Sequence, residues 1–169
     1  MNCLTDAYAD LWAECFAPAF TEDSWTGLPE RSGWVDLGDV KPKWTPETPL
    51  RRAEDRRQAL LEIDALVALS LGLTADELCT TYRTQFPVLY GYDRNRDHYD
   101  ANGRIVPNSV ITVWRSKGDR ISETERTATH PGSGVEHVYE LPFETLDREK
   151  DMRIAYAEFE RRLAERERP

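Results

Sequence analysis

The sequence predicts an α+β domain in which a buried central helix pair and terminal helices pack with a small antiparallel β-sheet of hairpins. Three observations carry this. Apolar residues recur at helical spacing near both ends and through residues 49–86. The dipeptide Asn102-Gly103, which favours tight hairpin turns, opens a region where the period falls to two. A chain of 169 residues is long enough for one ordinary core and too short for two comfortable ones, so 1–169 is expected to be a single domain.

The first element, within residues 1–20, is a helix over 3–17 whose stripe is Leu4, Ala7, Tyr8, Leu11, Trp12 and Cys15, ended by Pro18. A stripe carrying Tyr8 and Trp12 needs a cover, which makes these two residues a candidate interface. Residues 21–48 are rich in Trp, Pro and Gly without a sustained period. They read as an ordered loop anchored by Trp25, Trp34 and Trp44.

Residues 49–86 are expected to hold the central helices. Thr48-Pro49 has the chemistry of an N-cap and first turn, opening a long helix through Leu71 that stops at Gly72. Arg51 and Asp55 are spaced to pair along it. Ala59 to Leu71 is apolar nearly all round, the mark of a central buried helix. Thr74 with Glu77 is a capping box that starts the next helix, which ends before Pro87.

Hairpins are expected over 99–141. Asn102-Gly103 sits between Tyr99-Asp100-Ala101 and Arg104-Ile105-Val106 and predicts a type I′ turn with positive φ at both residues. Val110 to Trp114 reads as a strand. Ile121–Thr129 and Val135–Leu141, joined by residues 130–134, read as a second hairpin. Over 147–167, Met152, Ala155, Tyr156, Phe159 and Leu163 mark an amphipathic terminal helix.

Composition excludes several function classes. Forty per cent hydrophobic and 31% charged residues, with five Trp, belong to a folding chain. A net charge of −9 repels nucleic acid on average, so a free-standing DNA binder is disfavoured; basic faces are confined to Arg51, Arg52, Arg56 and Arg57 and to Arg161, Arg162, Arg166 and Arg168. Cys3, Cys15 and Cys79 offer neither a disulfide framework nor a Cys-x-x-Cys zinc spacing, which points to a reducing cytoplasm. The N-terminus lacks signal-peptide character, and Ala59–Leu71 is interrupted by Glu62 and Asp64 and is too short for a bilayer. No membrane association is expected.

No complete catalytic constellation stands out. Asp93-x-Asn95-x-Asp97 resembles a calcium loop but has His98 at the sharp-turn glycine and Arg104 at the bidentate acid, so it reads as a solvated polar loop. Asp36, Asp39 and Lys41 lie among turn residues instead of the strands that a nuclease acid pair needs. His98, His130 and His137 stand apart from any Ser or Cys nucleophile, and His137 is expected to face solvent. Glu62 and Asp64 interrupt the apolar helix and need a partner, for which Arg83 is the candidate. Tyr82, Arg83 and Gln85, near Phe86, Tyr90 and Tyr92, mix aromatics with donors in the manner of single-strand or flipped-base surfaces. Together with Arg104, Arg51 and Arg52 they form the candidate DNA or partner contacts, against the alternative that the aromatics simply pack.

The most particular stretch runs from Leu73 to Pro107. It includes Leu73-Thr74-Ala75-Asp76-Glu77-Leu78-Cys79-Thr80-Thr81-Tyr82-Arg83-Thr84-Gln85-Phe86-Pro87 and Tyr99-Asp100-Ala101-Asn102-Gly103-Arg104-Ile105-Val106-Pro107. With Glu62 to Leu69 before it and Pro142-Phe143 to Tyr156 after it, this stretch resembles the C-terminal region of the large S-adenosylmethionine-dependent DNA methyltransferases of type IIG restriction-modification and phage-exclusion systems. In that family the catalytic core lies upstream, with a Gly-rich loop for the cofactor and an Asn-Pro-Pro-Tyr motif for the flipped adenine. Neither motif is present in this sequence. The resemblance therefore implies a noncatalytic domain that supports target recognition or assembly. S-adenosylmethionine is expected only in the upstream or partner core. The implied partners are that methyltransferase core, in the same or a separate polypeptide, and duplex DNA through the assembly. The alternatives are a free-standing protein-interaction or regulatory module and, third, a small hydrolase.

Overall fold

The computed structural model describes residues 3–27, 37, 40–130 and 132–166. The fold is mostly helical with one small antiparallel sheet, an α+β arrangement. Its helices are α1 (Ala9–Cys15), α2 (Ala53–Ser70), α3 (Ala75–Gln85), α4 (Pro87–Asn95), α5 (Asn108–Lys117) and α6 (Arg148–Arg166); its strands are β1 (Thr127–Thr129) and β2 (Glu136–Val138).

The N-terminal stripe forms less helix than its spacing predicts. A 3₁₀ turn at Asp6–Tyr8 leads into the seven residues of α1, and another 3₁₀ turn follows at Pro18–Glu22. The segment is tied to the body by indole donors: Trp12 Nε1 donates to the Lys41 carbonyl at 2.8 Å, and Trp44 Nε1 to the Cys3 carbonyl at 2.9 Å. Of the expected loop anchors, Trp25 and Trp44 are half-buried, while Trp34 lies outside the described residues.

Helix α2 begins at Ala53, four residues later than Thr48-Pro49 suggests. Thr48 instead accepts the Thr45 N–H at 2.8 Å. A carbonyl from another part of the chain shapes the real start, since Glu54 N–H donates to Gly103 O at 3.1 Å and so one of the orphan donors of the first turn is met. The stop is as expected. Gly72 has φ +70°, with Leu73 N–H bonded to Ala68 O at 2.9 Å and Gly72 N–H to Leu69 O at 3.0 Å, the two bonds of a Schellman motif. The capping box of α3 is also formed: Thr74 Oγ1 accepts from Glu77 N–H at 3.2 Å, and Glu77 Oε2 accepts from Thr74 N–H at 2.8 Å.

Two elements correct the sequence reading. Residues 110–114 are helical, within α5, where a strand was expected. Pro107 presets the first turn and its carbonyl accepts from Val110 and Ile111 N–H at 3.0 Å each. Val110, Ile111 and Trp114 then form a stripe at helical spacing, and its burial outweighs the β preference of Val and Ile. Asp93 and Asn95, expected in a solvated loop, lie on helix α4, which begins where Pro87 both ends α3 and occupies the first helical position of the next helix.

The Asn102-Gly103 turn exists, with different geometry. Gly103 N–H bonds to Asp100 O at 2.9 Å and Asp100 N–H to Arg104 O at 3.0 Å. Gly103 has φ +71°, while no non-glycine among the described residues has positive φ. This is a type I turn closed by a glycine bulge, not type I′. The cause is Asp100, whose Oδ1 accepts the Asn102 and Arg104 N–H groups at 3.0 and 2.8 Å and holds Asn102 at negative φ. The second hairpin forms with Thr127 opposite Val138 and Thr129 opposite Glu136. It is shorter than expected because Thr124–Arg126 winds into a 3₁₀ turn.

Two apolar clusters hold the fold. Leu61 and Ala65 of α2, Cys79 and Tyr82 of α3, and Met152, Ala155 and Phe159 of α6 form the first. Val106, Val110, Ile111, Ile121, Tyr139 and Phe143 form the second. Helix α2 is buried on one side only, contrary to the expectation for Ala59–Leu71. Leu61, Ala65 and Ala68 face inward, while Leu60, Ile63, Leu66, Val67 and Leu71 are 43–68% exposed.

Candidate functional site

A buried set of charged and phenolic side chains joins α2, α3, α4 and α6. Arg57, 5% exposed, donates from Nη1 to Asp151 Oδ2 at 2.7 Å. Arg148 donates from Nη2 to Asp64 Oδ2 at 3.0 Å, with its Nη1 4.0 Å from Asp93 Oδ2. The Tyr82 hydroxyl donates to that Asp93 oxygen at 2.5 Å, and the Arg148 guanidinium lies over the Tyr82 ring, 5.4 Å from its centroid. Burial, then the bond to Asp93, pushes the Tyr82 phenol well above its ordinary value. Burial raises Tyr99 to about 12, which the nearby Arg57 and Arg148 only partly oppose. Each charge faces an opposite one, so the set cross-links helices and offers no displaced charge for chemistry.

This arrangement redistributes the candidate residues. Tyr82 is in the core and is not available for stacking on a base. Arg83 is exposed and donates to Glu149 at 2.9 Å and to Thr80 Oγ1 at 3.3 Å. It meets neither Glu62 nor Asp64. Glu62 is instead satisfied by neutral donors, its Oε1 accepting from Thr26 N–H and Oγ1 at 2.8 and 2.7 Å and from Gln58 Nε2 at 2.8 Å. Gln85 borders an open apolar surface with Phe86, Pro87, Val88, Leu89 and Tyr92.

The other arginines gather at the α2 start. Arg52 Nη2 lies 3.4 Å from Glu54 Oε2 and its Nε lies 3.8 Å from Asp55 Oδ2, and it packs beside Gly103, next to Arg104. Arg104 itself stands 3.8 Å from Asp100. Arg51 turns away from Asp55 and donates to the carbonyls of Pro46 and Leu4 at 2.8 and 3.4 Å. Thus Arg52 packs against the glycine that precedes Arg104, and both arginines have carboxylates beside them. Asp55 is 2% exposed and its carboxyl oxygens have no hydrogen bond; burial raises its pKa despite Arg52.

The remaining constellations have structural roles. Asp93 and Asn95 lie on α4, with Asp93 buried, so the expected solvated loop is a helix end. No cluster of metal-binding side chains occurs among the described residues. Asp36 and Asp39 lie outside them. His98 is buried edge-on against Trp114, with ring centroids 5.7 Å apart. His130 Nδ1 accepts the Ser133 N–H at 3.1 Å and locks its turn. His137 is half-buried, edge-on to Tyr139, and does not point freely to solvent.

Several large apolar side chains also face outward. Tyr8 is 43% exposed and Trp12 half-buried. The outer face of α2 continues into a groove of about 570 Å³ that Phe20, Leu66, Phe159 and Leu163 help to line. This face escaped the sequence reading because an all-round apolar helix was assigned to the interior; the counter-signal was the spacing of Leu60, Ile63 and Val67, opposite to Leu61, Ala65 and Ala68.

Comparison with protein-family models, curated proteins and solved structures found no match for this chain. Among the described residues, no helix is long and apolar enough to cross a membrane.

Proposed function

We propose that this chain is a noncatalytic accessory domain of a cytoplasmic DNA methyltransferase of the restriction-modification or phage-exclusion kind, acting by docking to the methyltransferase core and assisting target recognition. The observation that carries the docking role is the set of large apolar side chains held half-exposed on α2, an arrangement typical of surfaces that a partner covers. The identity of the partner rests on the sequence resemblance from Leu73 to Pro107 and its flanks. In this reading the core holds S-adenosylmethionine and the flipped adenine. DNA contact from this domain falls to Arg51, Arg104 and Arg83, each on the surface and each already engaged by carbonyl or carboxylate oxygens.

The test is to titrate the chain into a methyltransferase core that carries the Gly-rich and Asn-Pro-Pro-Tyr motifs, by calorimetry, and to follow methyl transfer to duplex DNA with and without it. A stoichiometric complex with altered methylation supports the proposal. Absence of a complex, or micromolar binding of S-adenosylmethionine by the chain alone, overturns it.

A further inference from the structure

Helix α2 has 18 residues and therefore a length of about 27 Å. Its inner side is spent on the core. On the outer side Leu60, Ile63 and Val67 follow each other at spacings of three and four, flanked by Leu66 and Leu71, with exposures of 45, 49, 50, 43 and 68%. This is the seam spacing by which one helix receives another, knobs into holes. Of the two charged residues between Ala59 and Gly72, Glu62 is buried on Thr26 and Gln58, and Asp64, its side chain 46% exposed, stands at one edge of the seam and is held there by Arg148. Along one flank Leu66 continues into the groove with Phe20 and Leu163, both also near half-exposed at 44 and 46%.

Building on the docking role proposed above, we infer that the outer face of α2 receives an amphipathic helix of the methyltransferase core, whose apolar seam is flanked by lysine or arginine side chains. The seam spacing selects a helix over a strand or loop as occupant. Charge selects the partner: two copies of a chain with net charge −9 repel, whereas a basic-flanked helix is drawn to it; at the groove itself Asp23 and Glu165 are already paired with Arg162 and Arg161, so the attraction is that of the whole chain. Extent fits as well. The apolar part of a standard interface is roughly 60% of about 800 Å² per partner, a demand of the size that seven half-exposed side chains can meet.

The experiment compares the wild-type chain with an Ile63→Glu/Val67→Glu double variant, each titrated into the methyltransferase core, with circular dichroism and melting confirming the fold. A milder Ile63→Ala/Val67→Ala variant serves if the glutamates unfold the chain. The expected result is at least a ten-fold loss of affinity for the glutamate variant, a smaller loss for the alanine variant, and wild-type binding that weakens as salt is raised. Equal binding by wild type and variants overturns this assignment of the face while leaving the accessory-domain reading in place. Failure of the core to bind the wild-type chain overturns both. A wild-type dimer in sedimentation that the variants convert to monomer overturns the inference in favour of a second copy of this chain.

Discussion

Tyr82 shows how far a side chain's chemistry depends on which way its helix turns. It lies three residues after Cys79 on α3, and that spacing carries it into the core, where its hydroxyl meets Asp93. Tyr82→Phe removes a donor from a buried carboxylate and is expected to destabilise by about 1–2 kcal/mol, read as a lower urea midpoint. Tyr99 gives a pH signature. Its folded pKa is about 12 against an ordinary 10.0, so the fold favours the neutral phenol. The stability this contributes is complete below pH 10.0 and is lost as pH rises from there towards 12. Alkaline titration followed by phenolate absorbance should therefore show a late group that ionises as the chain unfolds; ionisation of all seven tyrosines at the ordinary pKa would contradict the buried site. Asp55 works in the same direction at acid pH, since burial raises its folded pKa and ionisation destabilises the fold. Asp55→Asn is expected to raise the melting temperature at neutral pH, with the difference from wild type shrinking as pH falls through the carboxylate range. A lower melting temperature at neutral pH would show that the pairing with Arg52 outweighs burial.

At the scale of elements, local signals succeeded where a hydrogen bond lies within a few residues. The capping box of Thr74 and Glu77, the stop at Gly72 and the position of the 102–103 turn all close within such a span. Thr74→Ala should cost about 1 kcal/mol, measured by denaturant unfolding, with no change in the core. Gly103→Val should cost at least as much. It would place a β-branched residue at φ +71°, with a new Cβ against Arg52 Nη2 and 2.7 Å from Glu54 Oε2; an unchanged unfolding midpoint would refute this. Illegible elements are those decided by distant partners. The start of α2 depends on the Gly103 carbonyl, and the helical state of Val110–Trp114 depends on Ile121, Tyr139 and Phe143. The type of the 102–103 turn needed the orientation of the Asp100 side chain, which no dipeptide preference encodes. In the candidate site, Arg83 and the carboxylates were visible as charges, but their pairing with Glu149, Thr26 and Arg148 arises only when α2, α3 and α6 assemble.

For the whole molecule, charge and apolar surface pull in different directions. A net charge of −9 opposes approach to DNA, and Arg52 and Arg104, which attract it, have carboxylates beside them. The free chain is expected to bind duplex DNA weakly, with affinity that falls steeply as salt rises; fluorescence anisotropy that found tight, sequence-specific binding at physiological salt would make it a reader in its own right. The proposed partner rests on residues 73–107 as a pattern. The uncovered face of α2 shows in the sequence only as the spacing of Leu60, Ile63 and Val67 against Leu61, Ala65 and Ala68, because inward and outward residues on this helix are alike in chemistry.

Cys79 also makes the first cluster into a chemical clock. Its side chain has no exposure and burial raises its thiol pKa, whereas Cys15 is exposed and Cys3 half-buried. An alkylating reagent should reach Cys15 first and Cys3 soon after, then wait on α2, α3 and α6 to part. The third alkylation, resolved by mass spectrometry, therefore times the opening of that cluster under native conditions, with the other two thiols as internal standards for the reagent.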